Sequence, residues 1–194
     1  MPADATPSDP APADAARSDR ASSDPTPVRN ATVADAHGLA VVHVRSWQAA
    51  YRGLMPQEVL DGLSVAEREA NWVRFMADSD RSSRTLVVER DGEIVGWAGY
   101  GAARDEDAPG TGELWGIYAH PDAWSTGVGH ALVTAVEEAL RAEGHEVAYL
   151  WVLEGNDRAA AFYERHGWAS DGGTKVDERP GLVLHERRHV KRLA

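Results

Sequence analysis

One stretch near the middle of the chain, residues 114–129, most constrains the fold. It begins with the apolar run Leu114–Ala119, which is typical of a buried strand, and it continues into a loop that contains Gly127 and Gly129. After this loop apolar residues recur at helical spacing until Gly144, which marks the end of a helix. The N–H groups at a helix N-terminus can bind a phosphate where no Cβ blocks its approach. The segment therefore predicts a pyrophosphate-binding turn or, as the alternative, an ordinary tight strand-to-helix connection.

The common nucleotide-binding signatures do not fit this loop. Leu132 occupies the place of the third glycine in a dinucleotide-binding fingerprint, and no Gly-Lys-Ser/Thr follows as it would in a P-loop. Both of these nucleotide-binding motifs are therefore disfavoured.

A second segment, Asn156–Trp168, predicts another helix. Asn156 is a good N-cap residue, and Gly167 is placed to end the helix. Between them, Ala159, Phe162, Tyr163 and His166 fall on one face of the helix. That face predicts either a packed aromatic core or a functional tyrosine.

The remaining pattern predicts an α/β fold with about seven strands. Asp91-Gly92 is a hairpin signal, Thr32 with Asp35 resembles a capping box, and a further helix is predicted from Val65 to about Met76. The predicted strands are Val28–Ala31, Thr85–Glu89, Ile94–Tyr100, Leu114–Ala119, Val147–Leu153, Trp168–Thr174 and Leu182–Arg187.

The two central segments resemble motifs of the GNAT acetyltransferase superfamily. Residues 124–129 resemble its acyl-CoA pyrophosphate loop, Gln/Arg-x-x-Gly-x-Gly/Ala, with Trp124 in the first position. Residues 162–168 resemble its Phe-Tyr-Glu-x-x-Gly-Phe/Trp run. The resemblance covers about Val28 to His189. It implies the GNAT fold, an α/β fold with a mixed, mostly antiparallel sheet of about seven strands, a splayed parallel central pair and about four helices.

The resemblance implies acetyl-CoA as the cofactor. Ser125 and Thr126 stand where basic residues are frequent in the family loop, so binding would depend on backbone amides, these two hydroxyls and the helix dipole. The N–H of Ile117 would face the thioester carbonyl. The implied cofactor contacts are Ile117, Tyr118, Ala119, Trp124, Ser125, Thr126, Gly127, Val128, Gly129, His130, Asn156 and Tyr163.

Tyr163 and Glu113 are the catalytic residues that the resemblance implies. Tyr163 would be the general acid, because a phenol of pKa about 10 can protonate a thiolate leaving group of pKa about 8.5 in a dry pocket. An amine acceptor needs a base, since only on the order of one in a thousand lysine-like amines is neutral at pH 7. Glu113 is predicted to be this base, directly or through water, with a solvated strand-end carboxylate as the alternative. His120, Asp122 and Glu154 are further candidates.

The implied activity is N-acetyl transfer to a primary amine of a small molecule or peptide. The run Val44–Pro56 resembles a family loop beside the acceptor pocket, so Trp47, Tyr51 and Arg52 are candidate substrate contacts, with core packing the alternative for Trp47. The alternative function is a non-catalytic acyl-CoA-binding sensor or docking module of the same fold. Similar proteins are often dimers, which leaves a homodimer open.

Composition argues against several other classes. The 194 residues carry a formal net charge of −11, which disfavours nucleic acid as a partner. The chain has no cysteine, so it lacks disulfides, thiolate nucleophiles and cysteine-based zinc sites, and acyl transfer is expected to be direct. Its histidines show no HExxH motif, and no metal is predicted.

The hydropathy of the chain and its N-terminal sequence predict where the protein is located in the cell. No run approaches the roughly 18 apolar residues of a membrane span, and the N-terminus lacks the apolar core of a secretion signal. A cytoplasmic location without a membrane partner is therefore expected. Residues 1–27, rich in Ala, Pro, Asp and Ser, are predicted to be a disordered low-complexity tail, and residues 28–194 to be the acetyltransferase domain.

Overall fold

The computed structural model describes residues 27–78, 82–179 and 182–193. The tail predicted for residues 1–27 lies outside these ranges, except for Pro27. The helices are α1 (Ala36–Ala50), α2 (Gln57–Asp61), α3 (Val65–Ala77), α4 (Val128–Ala142) and α5 (Asp157–Arg165). The strands are β1 (Val28–Asn30), β2 (Ser83–Arg90), β3 (Glu93–Ala102), β4 (Gly112–Ala119), β5 (Val147–Leu153), β6 (Ala169–Arg179) and β7 (Leu182–Arg192).

The ends of the helices follow from local chemistry. The Ser64 hydroxyl accepts a hydrogen bond from the backbone N–H of Glu67 and so caps α3. Gly127, with φ +90°, precedes α4, and Gly167, with φ +81°, follows α5, in conformations that favour glycine. The sequence did not predict α2, a single short turn that begins directly after Pro56.

All seven strands form one sheet in the order β1-β2-β3-β4-β5-β7-β6. Every neighbouring pair is antiparallel except β4 and β5. These two pair only where Gly112 meets Ala148 and Glu113 meets Tyr149. Beyond this point the two strands have no further register pairs, so the predicted splayed parallel pair at the centre of the sheet is confirmed.

A bulge in β4 lies at the start of this divergence. Gly99 of β3 lies opposite Gly116, whereas the next residue, Tyr100, lies opposite Leu114. Trp115 is therefore an extra residue in β4, and such a bulge bends and twists the strand locally. The bend accompanies the separation of β4 from β5.

Helices cover both faces of the sheet. Alternate residues of a strand point to opposite faces, and accordingly Val88 packs in the cluster that contains Leu132 and Leu140 of α4, whereas Val87 packs with Leu39 of α1. The cluster beneath α4 also contains Tyr163 and Trp168, so it connects the core to the end of α5. Within the described ranges, no helix combines the length and apolar character that crossing a membrane would require.

Candidate functional site

A cavity of about 510 Å³ follows the opening between β4 and β5. At one end it is lined by Ser125, Gly127 and Gly129, and at the other by residues of α1, β6 and β7. Tyr163 and Glu113 both line it. The cavity therefore connects the glycine loop with both predicted catalytic residues.

The glycine loop has the form of an anion cradle. Ser125 has φ +63° and Gly127 has φ +90°, and left-handed residues within such a loop turn successive backbone N–H groups toward a common concavity. A Cβ on Gly127 would have no other heavy atom within 4 Å, so this glycine faces open space at the N-terminus of α4. The loop thus fits a diphosphate, with room that a side chain would fill.

Gly129 differs from Gly127 because it lies against another helix and not against open space. A Cβ at Gly129 would lie 3.1 Å from Cε2 of Phe162. This glycine allows α4 to approach the aromatic face of α5, so it sets the position of the helix that carries Tyr163.

Two predicted cofactor contacts, Thr126 and Val128, do not line the cavity. The Thr126 hydroxyl donates to the carbonyl of Ala123 at 2.8 Å and accepts from Nη1 of Arg90 at 2.7 Å. The hydroxyl proton of Thr126 is therefore used in a hydrogen bond within the loop. Ser125 is the other hydroxyl residue of the loop, and it lines the cavity. Val128 is fully buried, and its side chain packs in the core beneath α4.

Tyr163 lines the cavity and is only 7% exposed. Burial, followed by the nearby Tyr118, raises the pKa of the Tyr163 hydroxyl, while a hydrogen bond from the backbone N–H of Ile117 lowers it. The net effect raises the pKa of Tyr163, so its hydroxyl holds its proton at neutral pH.

Asn156 also lines the cavity, and its side-chain oxygen accepts a hydrogen bond from the N–H of Ala159 at 3.2 Å, as expected of an N-cap.

Glu113 is not a solvated strand-end carboxylate, since it is only 1% exposed. Its Oε2 accepts hydrogen bonds from the backbone N–H of Arg104 (3.0 Å), from Nε of Arg104 (2.9 Å) and from the Tyr149 hydroxyl (3.0 Å). Its Oε1 accepts a hydrogen bond from Nη2 of Arg104. Because a carboxylate oxygen has two lone pairs, Oε1 keeps the capacity for one more donor, whereas Oε2 does not.

Comparison with known proteins identifies this arrangement. The model of the Acetyltransferase (GNAT) family matches residues 45–168, which include the glycine loop and the helix of Tyr163. The chain belongs to the GNAT family. The uncharacterized N-acetyltransferase YuaI of Bacillus subtilis is 32% identical over 141 residues, or 72% of this chain and 78% of that protein.

Solved GNAT structures have the same fold. The PaiA N-acetyltransferase of Thermoplasma acidophilum, in complex with coenzyme A, is 19% identical with a TM-score of 0.64 over 86% of this chain and 98% of that one. The putative acetyltransferase yncA of Salmonella typhimurium, with its cofactor acetyl-CoA, is 17% identical with a TM-score of 0.63 over 87% of this chain and 94% of that one. The predicted superfamily is confirmed, and with it an acyl-CoA-dependent N-acyltransferase that uses acetyl-CoA.

Basic residues missing from the GNAT loop occur on the neighbouring helix α5. The guanidinium carbon of Arg158 lies 3.5 Å from the centroid of the Trp124 ring, and both Arg158 and Arg165 line the cavity. His130 is linked to this group, since its Nδ1 lies 3.0 Å from Nε2 of His166. These two arginines were not predicted from the sequence, although their spacing of seven residues places them on one helix face and could have indicated them.

The end of the GNAT cavity away from the glycine loop contains two of the three predicted substrate contacts. Trp47 and Tyr51 line it, with ring centroids 5.2 Å apart in an edge arrangement. Burial raises the pKa of Tyr51 well above its ordinary value, and a hydrogen bond with Tyr118 acts in the same direction. Arg52 is exposed and does not line the cavity, because the chain turns outward at Gly53, where φ is +79°.

Charged residues from the last two strands also line this end of the cavity. Lys175 of β6 and Glu186 of β7 line the cavity and form an ion pair of 3.4 Å. Asp177 also lines it. These residues were not predicted from the sequence, because only the pairing of β6 with β7 brings them to the centre of the protein.

The other candidates for the base lie elsewhere. Glu154 is paired with Arg187, and Nδ1 of His120 accepts a hydrogen bond from the backbone N–H of Asp122 at 3.4 Å. None of Glu154, His120 and Asp122 lines the cavity. In the described ranges, no group of three or more His, Asp or Glu side chains is arranged to hold a metal ion.

Proposed function

We propose that this GNAT enzyme transfers the acetyl group of acetyl-CoA to a primary amine of a small molecule or peptide. The observation that carries the proposal is a single cavity shared by the anion cradle at Gly127, the hydroxyl residue Tyr163 and the buried carboxylate of Glu113. A donor, a proton source and a proton acceptor are the groups that aminolysis of a thioester requires. When bound, acetyl-CoA supplies an activated acyl group.

The proposed cofactor contacts follow the length of the cavity. The backbone around Ser125, Gly127 and the start of α4 would hold the diphosphate, with Arg158 and Arg165 adding the positive charge that the loop lacks. Asn156 and the free edge of β4 would contact the pantetheine arm. The N–H of Ile117 would stabilise the charge that develops on the acyl oxygen.

Tyr163 is proposed as the general acid. Its raised pKa keeps the hydroxyl protonated at neutral pH, and its burial excludes water that would compete for the proton. Tyr163 Oη would donate its proton to the sulfur as the leaving group departs. The chain has no cysteine that could carry an acyl intermediate, which supports direct attack by the amine.

Glu113 is proposed as the base, acting through water. Three donors occupy its Oε2, and Arg104 leaves one lone pair of Oε1 for a further donor. A water at Oε1 would take the proton of the incoming amine and share it with the carboxylate.

Cytoplasmic location and a homodimer stay predictions from the sequence.

The competing function is an acyl-CoA-binding module without turnover. A sensor does not need a buried acid and a buried carboxylate in one cavity, so Tyr163 and Glu113 support catalysis. The test is thiol release from acetyl-CoA across a panel of amines, including diamines, amino acids and short peptides, with calorimetric measurement of CoA binding in parallel. Turnover with at least one amine is expected. Tight CoA binding without turnover on any amine would favour the sensor.

A further inference from the structure

An arginine that does not line the cavity binds the glycine loop from outside. Arg90 is the last residue of β2. Its Nη1 donates a hydrogen bond to the Thr126 hydroxyl at 2.7 Å, and its Nη2 donates to the Thr126 carbonyl oxygen at 2.9 Å. A guanidinium is a rigid, planar fork, so two bonds to one residue restrict that residue more than a single bond would. Arg90 therefore holds the loop in place at Thr126.

The bond to the Thr126 carbonyl also sets the direction of the next N–H group. The peptide between Thr126 and Gly127 is trans, as are the others in the described ranges. In a planar trans peptide the C=O and the N–H point in opposite directions. Because the Thr126 oxygen faces Arg90, the N–H of Gly127 points away from Arg90. Gly127 lines the cavity whereas Thr126 does not, so this direction is toward the cavity side of the loop.

The N–H of Gly127 is available to a ligand, but the backbone alone does not hold it in place. Among the described residues this N–H has no hydrogen-bond acceptor, and Gly127 is exposed. Glycine permits the change in φ that a rotation of the preceding peptide requires. Such a rotation would turn the carbonyl oxygen of Thr126 toward the cavity in place of the N–H, and its partial negative charge would repel a diphosphate. The orientation of this peptide therefore needs support from outside the loop.

A second contact links the hairpin that carries Arg90 to the start of the loop. A register shift between β2 and β3 leaves Val95 as an extra residue in β3. The carbonyl of Val95 accepts a hydrogen bond from the N–H of His120 at 2.8 Å. His120 directly follows β4, where the chain enters the loop. The hairpin is thus bonded to the loop at two points, His120 and Thr126, and not through one surface side chain alone.

We propose that Arg90 is a positioning residue for cofactor binding, which holds the Thr126–Gly127 peptide with its N–H toward the diphosphate of acetyl-CoA. Arg90 acts through the loop backbone and not through its own charge. The inference rests on the proposed anion cradle at Gly127. It adds that this cradle is supported by a residue 36 positions earlier in the chain.

Arg90→Met tests the inference, because methionine keeps an unbranched side chain and removes both donors. We expect the dissociation constant for CoA, measured by calorimetry, to rise about tenfold, since one amide that binds phosphate loses its fixed direction. The kcat at saturating acetyl-CoA should stay within about twofold of the wild type, because the change affects cofactor binding and not acyl transfer. In the free protein, the ¹³C signal of the Thr126 carbonyl should move upfield as its hydrogen bond is lost.

Arg84→Met is the matched control. Arg84 also belongs to β2, and its Nε forms an ion pair of 3.7 Å with Glu143, which follows the far end of α4. Arg84→Met should bind CoA as the wild type does. Arg90→Lys keeps the charge without the planar fork, and it should bind CoA at least about threefold more weakly than the wild type. Arg90→Lys also provides the test if Arg90→Met does not fold.

Ionic strength separates positioning from attraction by charge. The Debye length falls from about 10 Å at 0.1 M salt to about 3 Å at 1 M, so a long-range attraction between Arg90 and the diphosphate would be screened. Hydrogen bonds that orient a peptide within the protein are screened much less. The ratio of the CoA dissociation constants of Arg90→Met and the wild type should therefore be the same at both salt concentrations.

Three results would overturn the inference: unchanged CoA affinity in folded Arg90→Met, a loss of affinity that disappears at 1 M salt, or wild-type affinity in Arg90→Lys. Comparison with Gly127→Ala separates the inference from the proposed cradle. Weaker CoA binding in Gly127→Ala, together with wild-type affinity in Arg90→Met, would refute the role of Arg90 and leave the cradle intact. Wild-type affinity in both variants would refute the cradle as well.

Discussion

The backbone N–H of Ile117 lies close enough to the Tyr163 hydroxyl to lower the pKa of that group, in the part of β4 that has separated from β5. The proposed mechanism assigns this N–H to the acyl oxygen and this hydroxyl to the departing sulfur. Both atoms are bonded to the same carbon of a thioester, so the two protein groups must be neighbours. The contact therefore links an oxyanion donor and a general acid before any ligand is present.

Replacing Tyr163 by phenylalanine removes the proposed proton source with little change in shape. We expect kcat to fall by roughly 10²-fold or more, with little change in the dissociation constant for CoA. Steady-state kinetics and calorimetry would measure the two quantities. Tyr100→Phe is the matched control, because Tyr100 is buried in the same core but does not line the cavity. Equal kcat values for Tyr163→Phe and the wild type would make Tyr163 a packing residue.

The raised pKa of Tyr163 predicts the alkaline limb of the pH profile. Burial raises the pKa of this hydroxyl above its ordinary value of 10.0, so the acid stays protonated throughout the range from pH 8 to 10. We therefore expect that ionisation of Tyr163 causes no loss of wild-type kcat between pH 8 and 10. The pH dependence of kcat, measured at saturating amine and compared with the profile of Tyr163→Phe, tests this. A fall of the wild-type kcat above pH 8 that is absent from the variant would contradict it.

Gly127→Ala should weaken CoA binding, because the added methyl group would enter the open space of the anion cradle. We expect the dissociation constant for CoA to rise by about tenfold or more. Gly144→Ala is the matched control: Gly144 also has φ +90° and open space where a Cβ would lie, but it follows the far end of α4. Both variants should lose similar stability, and only the first should lose affinity. Equal affinities in the two variants would show that the loop does not hold the cofactor.

The sequence predicts the lining near the glycine loop better than the lining from β6 and β7, and the reason is physical. Gly127, Asn156 and Tyr163 act within short segments whose turn and capping chemistry is local, so their types and spacing carry the information. The buried state of Glu113 depends on Tyr149, which reaches it only through parallel pairing of two strands remote in sequence.

The same distinction explains the site residues that the sequence did not reveal. Lys175 and Glu186 meet in the cavity wall through the pairing of β6 with β7, and alternation along either strand does not reveal which of its faces borders a cavity. Thr126 was predicted to contact the cofactor because a hydroxyl in a phosphate loop is a natural donor. Its partner Arg90 comes from β2, and no local signal predicts that contact.

Glu113→Gln separates a base from a purely structural carboxylate. As a base acting through water, Glu113 should contribute about 10²-fold to kcat at pH 7, with little change in the dissociation constant for CoA. Tyr149→Phe removes one donor to the same carboxylate and leaves the charge intact. Both variants should lower the melting temperature, because each leaves buried polar groups without a partner. A similar loss of kcat in both variants would assign Glu113 to positioning alone, because Tyr149→Phe keeps the carboxylate.

The ion pair between Asp35 and Arg29 predicts a pH-dependent part of the stability. Hydrogen bonds from Arg29, opposed by burial, lower the pKa of Asp35 from 3.8 to about 2. A carboxyl whose pKa is lower in the folded state stabilises the protein above its unfolded pKa, and this contribution is lost as the pH falls from about 4 to 2. Asp35→Asn should therefore cost about 1 to 2 kcal/mol at pH 7, a range that allows for solvent screening of the partly exposed Arg29.

Urea denaturation of the wild type and Asp35→Asn between pH 2 and 7 would measure this contribution. The difference in unfolding free energy should be constant from pH 7 to about 5 and should shrink steadily below pH 4. Glu89→Gln is the matched control, because Glu89 binds the same guanidinium from an exposed position and should contribute little. A difference for Asp35→Asn that stayed constant down to pH 2 would mean that Asp35 stabilises the start of α1 through neutral hydrogen bonds and not through its charge.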